Sequence, residues 1–265
     1  MQQLDVFGLK VHSFETNELK NYLHSIVQNN FPFIFYGYSF GTIPFFKTHN
    51  DLYELCNSFD LMVTDGTHFK WFCSLFGFRV KTMMSIPDLT NFTLQYANDH
   101  RLSVLLFGAK ESINLQALKN LSKKYPNITF HQGINGYFDL KEENKIVERI
   151  QSASPDILLI GISSPLKERF AFKHKNDLNA KIIIPCGGMI DVYSGLTKQT
   201  PKWLKKLGLA TPYRVVQEPA RLLKLNVWIF NETFFKLIPI AIYHRYILGK
   251  KSFNMIDLYL SKSKN

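Results

Sequence analysis

The sequence has few cysteines and no long uncharged apolar run, and both absences limit what the chain can be. Only three cysteines occur in 265 residues, none at a metal-ligand spacing, which indicates a reduced cytoplasmic setting and not a disulfide framework. No run of about 18 uncharged apolar residues is present, and the first ten residues lack the pattern of a signal peptide. We therefore predict a protein that does not span a membrane.

Acidic residues are scarce in the C-terminal part of the chain. The formal net charge is +11, and the segment from Lys198 to Lys251 holds eleven Lys or Arg against two acids. Aromatic side chains are interleaved with these cations, namely Trp228, Phe230, Phe234, Phe235, Tyr243 and Tyr246. Such a segment suits an anionic membrane surface. Nucleic acid is the competing partner for a basic surface, but no nucleic-acid-binding motif accompanies the charge, so we predict none.

Short apolar runs alternate with helical periodicity along most of the chain, which predicts an α/β fold with a Rossmann-like, mostly parallel sheet flanked by helices. A strand or hairpin is predicted over residues 4–14. The further predicted strands are 32–38, 61–64, 103–107, 128–131, 156–160 and 182–184. Residues 1–196 are predicted to form this core, and residues 197–265 a basic helical appendage with a helix over 231–248 that bends at Pro239. The glycine order around Gly108 is not a dinucleotide fingerprint, so we predict no NAD and no other cofactor.

Two turns follow the predicted strands of the region from Asp156 to Arg221. Ser164 and Pro165 are predicted to cap and open a helix whose first N–H groups face the crevice above the sheet, where a diphosphate is favoured. Gly187 and Gly188 follow the strand 182–184 and let a backbone approach a ligand closely. On these residues alone, a glycine pair after a strand is more often a plain turn.

Four segments of the chain carry a resemblance to a known family. They are Gly-Ile-Ser-Ser-Pro-Leu-Lys-Glu-Arg (161–169), Gly-Gly-Met-Ile-Asp-Val-Tyr-Ser-Gly (187–195), Pro-Lys-Trp-Leu-Lys-Lys-Leu-Gly-Leu (201–209) and Tyr-Arg-Val-Val-Gln-Glu-Pro-Ala-Arg-Leu (213–222). In this order they resemble the WecG/TagA/CpsF family. The family comprises bacterial glycosyltransferases that pass a sugar from a nucleotide donor to an acceptor linked to undecaprenyl diphosphate. The resemblance extends to about Leu225.

The resemblance implies roles for individual residues. Asp65, in an Asp-Gly pair after a strand, matches the general base, whereas by itself it would be a turn aspartate. The family's appendage supplies arginines to the site, and Arg214 and Arg221 match them, with Lys224 where a third arginine is common. The residues expected at the donor diphosphate are Gly108, Ser164, Gly187, Gly188, Asp191, Arg214 and Arg221. The chain has no Asp-x-Asp pair, so we expect transfer without a metal ion.

Several positions depart from the family's pattern. Gly37 and Ser39 stand where Thr and Asn are common, and Met83 where an arginine is usual; we place them, with Lys224, near the acceptor. Lys167 replaces a glutamine and is a candidate catalytic cation. Either the enzyme has an altered specificity, or it binds a nucleotide sugar or lipid without turnover; the retained residues favour an enzyme. The lone histidines His68 and His131 are interpreted as structural.

Together these features predict an inverting glycosyltransferase that moves an N-acetylhexosamine or a related sugar from a UDP-sugar to a polyprenyl-diphosphate-linked saccharide. The protein is expected in the cytoplasm, peripheral on the inner face of the cell membrane. A homo-oligomer is left open.

Overall fold

A six-stranded parallel sheet forms the centre of the molecule in the computed structural model, which describes residues 1–29 and 31–261. Its strands are β3 (Phe33–Tyr38), β4 (Leu61–Thr64), β5 (Ser103–Gly108), β6 (Thr129–Phe130), β7 (Ile157–Gly161) and β8 (Ile182–Ile184). Their order is β4-β3-β8-β7-β5-β6, with every pair parallel. The predicted α/β fold with a mostly parallel sheet is therefore confirmed.

The central strands are apolar because both faces of the sheet are covered by helices. Residues Ile157 to Ile160 of β7 and all of β8 are fully buried. Leu159 of β7 lies opposite Ile184, and Tyr38 of β3 lies opposite Thr64 of β4. This register aligns the carboxyl ends of β3, β4, β7 and β8, so the loops after them emerge at one edge of the sheet.

Among the described residues, nine α-helices lie between the start of the chain and Ser194, and the last of them follows β8. They are α1 (Thr16–Val27), α2 (Phe45–Thr48), α3 (Asp51–Asn57), α4 (Thr67–Leu75), α5 (Ile86–His100), α6 (Glu111–Lys124), α7 (Glu143–Ala153), α8 (Leu166–Lys173) and α9 (Met189–Ser194). The helix predicted after Gly41 is divided, because His49 leaves helical geometry between α2 and α3. The strand predicted over 128–131 is reduced to the two residues of β6.

The predicted N-terminal hairpin forms a separate two-stranded sheet of β1 (Gln2–Val6) and β2 (Leu9–Ser13). Gly8, at φ +95°, makes the turn between them, and its N–H donates to Asp5 Oδ1 at 2.6 Å. The hairpin contacts the far end of the chain: the Phe7 and Phe253 rings stack at 4.3 Å, and the Met255 N–H donates to the Phe7 carbonyl. The two ends of the chain are thus packed together.

The C-terminal region is helical, as predicted, but its long helix begins earlier than expected. It contains α10 (Lys202–Lys206), α11 (Ala210–Gln217), α12 (Pro219–Glu232), α13 (Ile238–Ile242) and α14 (Met255–Ser261), with π-helical segments Thr233–Leu237 and Tyr243–Ile247. Pro219 opens a continuous helix instead of ending one, since its fixed φ suits the first helical turn. The π-helical segment Thr233–Leu237 directly precedes the turn that contains Pro239.

The continuous helix Pro219–Ile247 is long and apolar enough to cross a membrane by length and composition alone, with a mean hydropathy of 1.2 over its most apolar window. Only 28% of that window is buried within the protein. The side chains of Leu237 and Ala241 are nevertheless completely buried in the common core. The division at residue 196 stays a prediction, and the last four residues of the predicted appendage lie outside the described residues.

Two side chains of one helical turn allow a direct test of this packing. Leu237 is completely buried, whereas Phe235 is 69% exposed. We expect Leu237→Ala to lower the free energy of unfolding by about 2–5 kcal/mol, because it leaves a cavity in the core. Phe235→Ala should change it by less than about 0.5 kcal/mol. Urea denaturation of both variants measures the difference, and similar losses for the two would contradict the packing described.

Candidate active site

Two adjoining cavities lie at the strand-end edge of the sheet. The first, of about 280 Å³, is lined by residues that follow β3, β4, β7 and β8 and by residues of the C-terminal region. The second, of about 340 Å³, is bordered by α4, the start of α5, α11 and the first turns of α12. Both cavities are lined by Ser39, Gly41, Asp65, Pro87, Thr200, Lys205 and Arg214. These shared residues mark the boundary where two bound molecules would meet.

Asp65 is fixed at this boundary by its backbone and by its side chain. Its N–H donates to the Tyr38 carbonyl at 2.8 Å, which continues the pairing of β3 and β4. Gly66, at φ +97°, turns the chain into α4. Asp65 Oδ1 accepts a hydrogen bond from the Ile86 N–H at 3.2 Å. The carboxylate therefore has a defined position on the line between the cavities.

The surroundings of Asp65 favour proton uptake near neutral pH. Burial raises the pKa of its carboxyl group to about 6, against the opposing hydrogen bond from Ile86. That value already includes the nearby carboxylate of Asp88, which raises the pKa, and Arg214 and Lys205, which lower it. A carboxylate with this pKa is suited to act as a general base.

A buried group of polar side chains forms one wall of the first cavity. The Lys167 ammonium donates to the Tyr36 hydroxyl at 3.1 Å and also contacts Ser164 and Glu168, while the Tyr36 hydroxyl donates to Glu168. Burial opposes ionisation of Glu168, yet Lys167 and the hydrogen bonds to it lower its pKa overall. Lys167 thus lies in the cavity as predicted, but its charge is balanced by Glu168.

The expected helix cap at Ser164 is wrong in its details. Pro165 precedes the first residue of α8 and does not occupy the first helical position. The Ser164 hydroxyl donates to Glu168 Oε1 at 2.7 Å and caps no backbone group. This hydrogen bond makes Ser164 part of the buried polar group, and Ser164 lines the first cavity together with Lys167 and Glu168.

Gly187 and Gly188 both line the first cavity, with different consequences. The Gly187 N–H already donates to the Ile160 carbonyl at 3.1 Å, so it is not available to a ligand as expected. A side chain at Gly188 would lie 3.4 Å from the Arg214 guanidinium, and one at Gly187 would lie 3.7 Å from Lys167 Cε. The glycine pair therefore keeps open the space between these two cations.

The cations predicted from the appendage occupy different places. Arg214 lines both cavities, and its side chain makes no hydrogen bond or ion pair with any of residues 1–29 and 31–261. Arg221 lines only the second cavity and pairs with Glu218. Lys224 is exposed and lines neither cavity. Arg214 is therefore the cation best placed to receive an anionic ligand at the boundary.

The remaining predicted positions divide between the site and its surroundings. Gly37 and Ser39 line the first cavity and Met83 the second. Asp191 lines neither but lies behind Gly188, and burial raises the pKa of its carboxyl group. Gly108 lines neither cavity, and a side chain there would strike the Gly161 backbone at 2.5 Å. Its small size serves the contact between β5 and β7.

The two histidines set aside in the sequence lie in different places. His68 lines the second cavity, where its ring contacts the position that a side chain of Gly208 would fill. His131 borders a separate open cavity beside β5 and α7. Among the described residues, no group of three or more His, Cys, Asp and Glu side chains could hold a metal ion.

Lys205 and Asp88 belong to the site but were not among the predicted residues. Lys205 lines both cavities, and its Nζ lies 2.9 Å from Asp88 Oδ1. Lys205 stands inside the Pro-Lys-Trp motif, and Asp88 follows Ile86 and Pro87. Both residues belong to segments that the sequence singles out, but only the fold shows that their side chains meet beside Asp65.

A carboxylate between two cavities at the strand-end edge of a parallel sheet is suited to a group-transfer enzyme with two substrates. Residues 4–239 match the Glycosyl transferase WecG/TagA/CpsF family. The chain belongs to this family and is a glycosyltransferase, which confirms the resemblance seen in the sequence.

Two relatives illustrate the similarity. One is an N-acetylglucosaminyldiphosphoundecaprenol N-acetyl-beta-D-mannosaminyltransferase of Staphylococcus aureus (strain MRSA252), 30% identical over 200 residues, which cover 74% of this chain and 72% of the relative. A protein of the same name from Bacillus subtilis (strain 168) is 26% identical over 171 residues, covering 64% of this chain and 66% of the relative.

The buried pair in the first cavity gives a stability prediction. Glu168→Gln removes the charge that balances Lys167, and we expect it to lower the free energy of unfolding by about 3–5 kcal/mol. The surface pair of Lys145 and Glu142 provides the control, since Glu142→Gln should cost at most about 1 kcal/mol. Chemical denaturation at pH 7 measures both.

The same pair predicts a loss of stability in acid. Because the pKa of Glu168 is below its ordinary value of 4.5 in the folded protein, its contribution is present above pH 4.5. It is lost as the pH falls from there through the lowered pKa. Equal denaturation midpoints for Glu168→Gln and Glu142→Gln would contradict the structural role of Glu168.

Proposed function

We propose that this protein transfers an N-acetylhexosamine or a related sugar from a UDP-sugar to a saccharide carried on polyprenyl diphosphate, in the synthesis of a bacterial surface polysaccharide or glycolipid. Family membership and the names of the two relatives support the type of transfer. The observation that carries the proposal is the position of Asp65 on the boundary between two cavities.

The first cavity is assigned to the donor. The Arg214 guanidinium lies against Gly188 in this cavity, and Lys198 also lines it. Fixed cations of this kind offset the negative charge that grows on a departing nucleoside diphosphate. Arg214 can grip a phosphate with two N–H groups at once. We infer from these cations that the transfer does not depend on a divalent metal ion.

The second cavity is assigned to the acceptor. Its border includes Leu222 and Leu225 of α12, which leads towards exposed apolar residues further along the helix. An acceptor hydroxyl placed here would attack the anomeric carbon while the bond from that carbon to the diphosphate oxygen breaks. Asp65 takes the hydroxyl proton, and UDP leaves into the first cavity. Attack from the face opposite the leaving group inverts the anomeric centre.

The departures from the family's pattern line these same cavities. Gly37 lacks a side chain, and one added there would come within 3.1 Å of Asp65 Cβ. Met83 places a thioether in the second cavity, and Lys167 places an ion pair with Glu168 in the first. We infer that these positions change which donor or acceptor is accepted, while the base and the boundary cation are kept.

A row of exposed apolar side chains supports binding to a membrane surface. Leu223, Val227, Phe230 and Phe234 recur at intervals of four, three and four along α12 and the segment that follows, so they share one side of the helix. We call these four residues the apolar stripe. The exposed Lys224 lies next to Leu223, and an apolar surface with a cation beside it favours anionic lipid.

The long helix is also tied to the core. Glu232 is 5% exposed, accepts a hydrogen bond from the Tyr259 hydroxyl at 2.7 Å and pairs with Lys47 of α2. A buried carboxylate bonded to core elements supports a helix that lies on the membrane over one that crosses it. We therefore propose a cytoplasmic protein, peripheral on the inner face of the cell membrane. Its oligomeric state stays open.

The transfer proposal predicts a defined pH dependence. With a panel of UDP-sugars and a prenyl-diphosphate-linked acceptor, kcat/KM should rise about tenfold per pH unit below pH 6 and level off above it, because Asp65 must be ionised to accept the proton. Asp65→Asn should lower kcat by about 10²- to 10⁴-fold. Activity should persist when EDTA replaces Mg²⁺.

Three outcomes would contradict this account. Full activity of Asp65→Asn would show that Asp65 is not the general base. Complete loss of activity in EDTA would show that the transfer needs a divalent metal ion. Binding of UDP without turnover of any donor would favour a protein that binds nucleotide sugars but does not transfer them.

The membrane proposal predicts a different set of effects. Phe230→Ala with Phe234→Ala should weaken sedimentation with anionic liposomes, since the two stacked rings lose apolar contact with lipid. Leu115→Ala is the matched control, because Leu115 is 55% exposed on α6, away from the apolar stripe. Equal liposome binding by the control and the double variant would contradict the proposed surface.

A further inference from the structure

The short helix α10 is attached to both loops that hold Asp65. The Thr67 hydroxyl, two residues after Asp65, donates to the Lys205 carbonyl at 2.5 Å. The Lys205 ammonium reaches the other loop, where it lies 2.9 Å from Asp88 Oδ1. The Lys205 side chain is only 15% exposed. One residue of the C-terminal region therefore contacts the turn after β4 and the start of α5 at the same time.

Asp88 lies on the same helical turn as the hydrogen-bond donor of Asp65. Ser85 caps α5 by accepting a hydrogen bond from the Asp88 N–H at 3.3 Å, and its hydroxyl donates to the Asp88 carboxylate. Ile86, which follows Ser85 in the chain, donates its N–H to Asp65 Oδ1. Loss of the Lys205 cation is thus expected to move or release the donor that orients Asp65, whereas Asp88→Asn keeps the cap that Ser85 makes with the backbone N–H of position 88.

We propose that the Lys205–Asp88 ion pair is a positioning element that orients Asp65 and sets its charge state, so that the base is ready only when α10 is docked. The inference rests on the proposed function in naming Asp65 as the base. Lys205 and Asp88 act through Asp65 and not on the sugar. The pair thereby links the C-terminal helices to the proton-accepting step, separately from any contact that Arg214 makes with the diphosphate.

The electrostatic part of the inference follows from the charges around Asp65. Asp88 faces it from α5, Lys205 from α10 and Arg214 from α11. The other titratable or charged side chains that line the two cavities are Tyr36, Cys56, His68, Lys167, Glu168, Cys186, Lys198 and Arg221. Asp88 favours the protonated form of Asp65, whereas Lys205 and Arg214 favour the ionised form. Removing the Lys205 charge should therefore raise the pKa of Asp65, and removing the Asp88 charge should lower it.

The test is a direct titration of Asp65 by carboxyl ¹³C NMR, with its signal identified by its absence in Asp65→Asn. Lys205→Gln leaves Asp88 unpaired and should raise the pKa of Asp65 by about one pH unit. Asp88→Asn leaves Lys205 unpaired and should lower it by a similar amount. Lys205→Arg keeps the cation and should leave the pKa within a few tenths of the wild-type value.

A distant ion pair provides the control for general effects of charge. Lys181 pairs with Asp156 at 2.9 Å beside the opposite ends of the strands, and Lys181→Gln should leave the titration of Asp65 unchanged. An unshifted Asp65 signal in both Lys205→Gln and Asp88→Asn would overturn the inference, as would shifts in the same direction. The titration requires no turnover. Opposite shifts in a protein without transferase activity would retain the positioning role of the pair and reject the proposed function.

Discussion

The candidate active site depends on a carboxylate that is withdrawn from water at the end of a buried parallel strand, where its charged form is disfavoured. Burial and the Asp88 carboxylate raise the pKa of Asp65, whereas the Ile86 N–H and the cations of the C-terminal helices favour its ionised form. The balance gives a pKa of about 6. The position of this group is therefore inseparable from the sheet that ends beneath it and the helices that close over it.

The C-terminal helices contribute to the site by charge more than by burial. Arg214 brings a guanidinium without a side-chain partner among the described residues to the boundary of the two cavities, and Lys205 brings an ammonium held by Asp88. Both belong to short helices with little buried surface of their own. Leu237, Ala241 and Met255 anchor the following helices in the core. The region thus combines a firmly packed end with a lightly packed, cationic beginning, which suits helices that respond to substrate or membrane.

The sequence was sufficient for the sheet because continuous apolar runs such as Ile157 to Ile160 occur where a strand is covered on both faces. Its motifs also pointed to Asp65 after β4, to Gly188 after β8 and to Arg214 in the C-terminal region, and the structure brings these three residues to one cavity. It could not show that Glu168 neutralises Lys167, because that depends on how α8 is set against Tyr36 of β3. Gly108 was misplaced for a related reason: a glycine at a strand end can serve a ligand or a neighbouring strand, and only the register with Gly161 decides.

The most direct measurement is a crystal structure of the protein with bound UDP. We predict the diphosphate in the first cavity, bound by the Arg214 guanidinium beside Gly188, with its terminal phosphate directed towards Asp65 at the boundary of the cavities. A nucleotide bound elsewhere, for example in the open cavity beside His131, or an Asp65 carboxylate turned away from the diphosphate, would contradict the account.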